Sequence, residues 1–231
     1  MEKRDDDLIA RRSLMAGVGV AAVAGLVAST TQAQTSRRGG DRFEPARHKL
    51  DAWFGELAGN HRVFIDSESG HGGAAAVGYA NNLYVATDSA YAGEPANLAM
   101  VVCFRHFSTP FGYNDAIWAK YGEIFDSLMK YPDPDTGAAP KINLLNSASH
   151  KGLDNRGVTI DAIAAKGTQF AVCNMATQFI SSVIAEQTKQ NASDVHAEIL
   201  ANAIGNSRFV SAGVMALTRA QEYGYSVLIS G

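Results

Sequence analysis

From residue 45 onward the chain alternates short continuous apolar runs with longer stretches in which apolar residues recur every three or four positions. The runs HRVFIDS (61–67), NLAMVVCFR (97–105), QFAVC (169–173), RFV (208–210) and YSVLIS (225–230) read as strands. They are short, rich in β-branched and aromatic residues, and followed or preceded by turn-forming residues. NLAMVVCFR shows no polar alternation, the pattern of a strand covered on both faces, and so favours a central parallel sheet.

Helical spacing fills the intervals. Pro45 opens a predicted helix running to about Ala58, with Leu50, Trp53, Phe54 and Leu57 on one face. A second follows Gly72-Gly73 and runs to about Thr87. The clearest has Ile117, Tyr121, Ile124, Phe125 and Leu128 aligned, with Lys120, Glu123 and Lys130 facing away. Pro132, Pro134, Gly137 and Pro140 then mark a long surface loop, with a brief extended segment at 141–145 and a short helix at 158–165. Further helices are predicted over about 175–190, over 195–203 with Ser193-Asp194 as the cap, and over 213–223. Strands alternating with helices predict a single-domain three-layer α/β sandwich, with a mainly parallel sheet of about five strands.

The first residues read differently. Arg11-Arg12 precede an uncharged Ala/Val/Gly-rich stretch from Ser13 through Thr31, and Thr31-Gln32-Ala33 has the small residues of a cleavage site. Residues 1–33 are therefore expected to be a twin-arginine-type export signal, which places the chain in the periplasm or outside the cell. Residues 34–59 are expected to hold a linker and the N-terminal helix, and residues 60–231 the α/β domain. No stable membrane insertion is expected once the signal is removed.

Charge and cysteine content narrow the chemistry. The formal net charge is −3, and the charges of the leader cancel, so no basic face calls for nucleic acid. Two cysteines, Cys103 and Cys173, form no CxxC and no four-ligand zinc spacing. The glycines at 70, 72 and 73 match neither GxGxxG nor a lysine-bearing phosphate loop. No cofactor is implied, and no metal site is assigned.

In an open parallel sheet, ligands bind beyond the carboxyl ends of the strands. That edge collects Asp66, Ser67, Glu68 and His71 after the first strand, Arg105 and His106 after the second, and Cys173 and Asn174 after the third. Cys173 is the candidate catalytic group, because a thiol at a helix N-terminus faces free N–H groups that favour its anionic form. Arg105 and His106 are its candidate catalytic neighbours. His71, Asp66 and Asn174 are candidate substrate-site residues. Cysteine is also among the most frequently buried residue types, so a plain core thiol remains an open reading of Cys173. Cys103, inside the apolar run, reads as structural or as a thiol that resolves oxidised Cys173.

The segments GTQFAVCNMA and FVSAGVMALTRAQEYGYSVLISG resemble the DsrE/DsrF-like superfamily, small α/β sulfur-relay proteins related to sulfurtransferase subunits. The resemblance covers roughly residues 60–231. It implies that the sulfur-carrying cysteine falls on Cys173 and the closing glycine turn on Gly213. It also implies a homo-oligomer and a sulfur donor or acceptor protein as partner. The segment FRHFSTPFGYNDAIWAKYGEIFDSLMKYPDPDTG departs from the compact relay subunits, as does the export signal. Three functions follow as expectations: a periplasmic sulfur carrier or sulfurtransferase-related protein, a noncatalytic ligand-binding or assembly module of the same fold, and a metal-binding redox protein using Cys173 with His106 and His71.

Overall fold

A computed structural model describes residues 44–92 and 97–231. The expected export signal and the linker residues up to 43 lie outside the described residues. Residues 45–231 form one compact unit.

Five strands make one sheet: β1 (His61–Ser67), β2 (Leu98–Phe104), β3 (Gln169–Cys173), β4 (Ser207–Val210) and β5 (Ser226–Ser230). Their order is β4-β3-β2-β1-β5, and every pairing is parallel. All seven residues of β2 are buried, as its unbroken apolar run predicts. The edge strands β4 and β5 are more exposed.

The helices are α1 (Trp53–Glu56), α2 (Gly70–Ala90), α3 (Asp115–Met129), α4 (Ile160–Ala164), α5 (Asn174–Thr188), α6 (Ala192–Ala201) and α7 (Gly213–Glu222). Strands β1 to β4 step across the sheet in one direction, and right-handed connections put the helices between them on one face. The step from β4 back to β5 reverses direction, so α7 covers the opposite face. Alternating side chains separate the two cores. Val63, Ile65, Met100, Val102, Phe104, Phe170 and Val172 pack in the larger core with residues of α2 and α3. Phe64, Val101, Cys103 and Ala171 pack in the smaller one against Trp53, Phe54, Ala216 and Ala220.

Several local expectations change. The N-terminal helix shrinks to a 3-10 turn at Lys49–Asp51 and the single turn α1, and Leu50 is 72% exposed rather than on a buried face. Trp53 and Phe54 anchor that segment by burial, and Leu57 leaves it in an extended conformation. Ser69 caps α2 by accepting the Gly72 N–H, which starts the helix at Gly70 and draws His71 into its first turn. Residues 141–145 form no strand, and a 3-10 turn spans Leu144–Asn146. The cap of α6 is Asn191, not Ser193-Asp194, so the helix begins earlier. Among the described residues no helix is long and apolar enough to cross a membrane.

The long connection between α3 and α4 is seated directly on helix backbone. A Cβ added at Gly122 of α3 would lie 1.7 Å from the Pro140 carbonyl oxygen, and one at Gly78 of α2 would lie 3.2 Å from the Asp154 carbonyl oxygen. Gly122→Ala is therefore expected to destabilise the protein by about 1–3 kcal/mol or more, because the loop must lift off α3. Urea unfolding checks this, and an unchanged midpoint would contradict the close seating.

Candidate functional site

The site follows from the reversal of strand order. The chain leaves β3 toward one face through α5 and leaves β4 toward the other through α7, which opens a crevice between the two exits. A cleft of about 380 Å³ occupies that position. Cys173 contributes from the end of β3, Ala212 and Gly213 from the start of α7, and Arg105 and His106 from the end of β2. Apolar side chains supply most of the remaining wall: Phe107 and Pro110 after β2, Leu128 and Met129 at the end of α3, and Met175 and Phe179 on α5.

Cys173 is the last residue of β3 and the N-cap of α5. Its Sγ accepts the Ala176 N–H at 3.4 Å, the role a serine or aspartate oxygen commonly fills at a helix start. The residue is 7% exposed, and the accessible part faces the cleft. Across the cleft, Ala212 brings no capping side chain to α7. Two helix N-termini thus meet at one opening, and both favour negative charge there.

The end of β2 is held tightly. Arg105 N–H donates to the Ser67 carbonyl at 3.2 Å, and Phe107 N–H donates to the Glu68 carbonyl at 2.9 Å. Between them His106 adopts φ +54°, a left-handed conformation that a side chain makes unfavourable. The turn continues as a 3-10 segment, His106–Gly112, so this stretch is ordered and not an open loop. His106 is exposed, with its ring 4.0 Å from that of Phe107.

Arg105 is committed mainly to carboxylates. Nε donates to Asp66 Oδ1 at 2.8 Å and Nη2 to Asp66 Oδ2 at 2.8 Å, while Nη1 reaches Glu68 Oε2 at 3.0 Å. The hydrogen bond to Asp66 above all, opposed by partial burial, raises the Arg105 pKa further from neutrality. The guanidinium is therefore permanently charged but compensated by two acids. Its aliphatic stem lies on α7: a Cβ added at Gly213 would come within 2.5 Å of Arg105 Cβ. Glycine at 213 is what allows α7 to begin this close to β2.

The remaining sequence candidates divide clearly. Asp66 is buried beneath Arg105 and serves as its partner. Asn174 turns toward α6, where its Oδ1 lies 2.8 Å from His196 Nε2. His71 sits on α2, 2.7 Å from Asp154 and edge-on to Tyr131, and does not line the cleft. The structure thus brings together Cys173, Arg105 and His106, with Asp66 behind them. It does not bring His71 to Cys173, and among the described residues no three-residue metal-ligating group includes Cys173.

Cys103 differs from Cys173. It is fully buried in the smaller core. Burial first, then the Asp66 carboxylate, pushes its thiol well above the ordinary range, so it stays protonated. Cys103 pairs in register with Ala171, two residues before Cys173 on the adjacent strand. Strand spacing and rise put the two cysteine Cα atoms roughly 8 Å apart. A disulfide requires about 4.4–6.8 Å, and both thiols are free.

The apolar wall is what sequence reading missed. Met175 and Phe179 are spaced i, i+4 and look like a core stripe, yet both are exposed at the cleft rim. His196 also went unmarked, since its contact with Asn174 depends on how α5 and α6 pack. No family model matches the chain, and no curated protein or solved structure matches it.

The Arg105–Asp66 pair yields a stability test. Arg105→Met strands a buried carboxylate and is expected to cost about 3–5 kcal/mol. Glu68→Gln removes only an exposed partner and is expected to cost about 1 kcal/mol or less. Equal losses in urea unfolding at neutral pH would contradict the assignment of Asp66 as the essential partner.

Proposed function

We propose that the chain is a DsrE-like sulfur carrier, with Cys173 as the point of covalent attachment. The observation that carries the reading is the position of Cys173, whose thiol caps α5 and lines a cleft into which the uncapped start of α7 also opens. In the loading step, the Cys173 thiolate attacks the outer sulfur of a persulfide donor, R–S–SH. The donor S–S bond breaks, R–S⁻ departs, and Cys173 carries the new persulfide, with no external oxidant or reductant required. The helix N-termini favour the negative charge of the terminal sulfur, and the apolar walls limit water around it. Arg105, balanced by Asp66 and Glu68, holds the edge in shape, while exposed His106 is placed to meet the donor's leaving group.

In this reading the expected export signal puts the carrier in the periplasm, and a donor or acceptor protein docks at the cleft mouth. A homo-oligomer belongs to the same resemblance. A second reading, a noncatalytic ligand-binding or assembly module, draws support from the apolar wall and from the low exposure of Cys173.

The two readings separate by mass spectrometry of intact protein after exposure to a low-molecular-weight persulfide. The carrier is expected to gain one sulfur atom on Cys173, with loading abolished in Cys173→Ser and retained in Cys103→Ser. Absence of added sulfur on Cys173, in protein whose Cys103 is also unmodified, favours the binding module and overturns the carrier.

A further inference from the structure

Away from the cleft, the long connection between α3 and α4 gathers three groups of metal-ligating type. Asp133, Asp135 and His150 each offer one ligand atom, and these atoms all lie within 4.8 Å of one another. Asp133 is fixed in place: its Oδ1 accepts the Asp135 and Thr136 N–H groups at 2.9 and 3.0 Å, and the backbone closes a turn through Gly137 N–H to the Asp133 carbonyl. Its Oδ2 lies 3.8 Å from His150 Nε2.

His150 supplies the independent observation. It is only 8% exposed, and its buried Nδ1 makes no hydrogen bond. Asp135 Oδ2 lies 3.1 Å from that nitrogen without hydrogen-bond geometry. A buried imidazole nitrogen facing a carboxylate and left without a hydrogen bond is costly, and a bound cation removes the cost.

We propose that Asp133, Asp135 and His150 bind a divalent first-row transition ion such as Zn²⁺. One imidazole with two carboxylates suits zinc, manganese or ferrous iron better than calcium or magnesium, which prefer all-oxygen sites. Tetrahedral zinc with ligands at about 2.1 Å has ligand-to-ligand edges of about 3.4 Å. The 3.1 Å from His150 Nδ1 to Asp135 Oδ2 is already close to that edge, and one ligand atom from each of the three residues lies within 4.8 Å of the others, so side-chain rotations close the site on a single imidazole nitrogen. Water completes the coordination on the Asp135 side, where that residue is 71% exposed. The ion joins the turn after α3 to the segment at His150 and so staples a connection that has little regular structure of its own. This site is independent of sulfur carriage at Cys173.

The test is a titration of chelator-stripped full-length protein with Co²⁺, followed by Zn²⁺ competition. One Co²⁺ per chain is expected, with visible d–d absorption, no thiolate-to-metal charge-transfer band, and displacement by Zn²⁺. Asp135→Asn removes an exposed ligand without disturbing the interior and is expected to weaken binding at least tenfold. His150→Gln is expected to do the same, with circular dichroism reporting whether it folds. Cys173→Ser should bind as the unaltered chain does. Absence of binding up to roughly 0.1 mM ion, which puts the dissociation constant at about 1 mM or weaker, would overturn the proposal. So would a thiolate band, or an Asp135→Asn affinity within tenfold of the unaltered chain.

Discussion

The ion pair between Arg105 and Asp66 fixes the carboxyl edge of the sheet. Asp66 is the penultimate residue of β1 and is almost fully buried, so its charge requires a partner at the same depth. Arg105 reaches it bidentately from the adjacent strand, and the same side chain packs over Gly213 at the start of α7. One residue thereby joins the ends of β1 and β2 to the helix on the far face. The conformation of His106 and the cleft wall built by Phe107 follow from how that junction is tied to Ser67 and Glu68.

Topology supplies the second constraint. Among the described strands only the return from β4 to β5 crosses to the other face, so among them neighbouring exits diverge only between β3 and β4. Cys173 lies at that divergence because β3 ends there and α5 begins there. The two cysteines illustrate how far a small displacement along adjacent strands changes chemistry. Cys103, level with Ala171, is sealed beneath α7, whereas Cys173, two residues further along, reaches the cleft.

Much of the sheet was legible because its physics is local. A run such as LAMVVCF has no polar residue to offer water, so a doubly covered strand is its natural fate. Placement of Cys173, Arg105 and His106 at one edge followed from strand order rules alone. What failed depended on packing. Strand order puts His71 at the edge, but the Ser69 cap draws it into α2 and its ring pairs with Asp154. The i, i+4 pair Met175 and Phe179 carries a core-like spacing on the exposed rim, and no periodicity distinguishes a core wall from a cleft wall. Asp133, Asp135 and His150 meet only because an irregular connection folds back on itself, for which the sequence holds no period at all.

The central claim is that Cys173, unlike Cys103, presents its thiol to a cleft in the folded protein. Its most direct test is the rate of alkylation of each cysteine under native conditions, followed by peptide mass spectrometry with a small, uncharged reagent. Modification of Cys173 at least tenfold faster than Cys103, without any loss of structure by circular dichroism, is the predicted result, since sealed groups react only through opening of the fold. Equal rates for the two thiols, both tracking global unfolding as urea is raised, would contradict it.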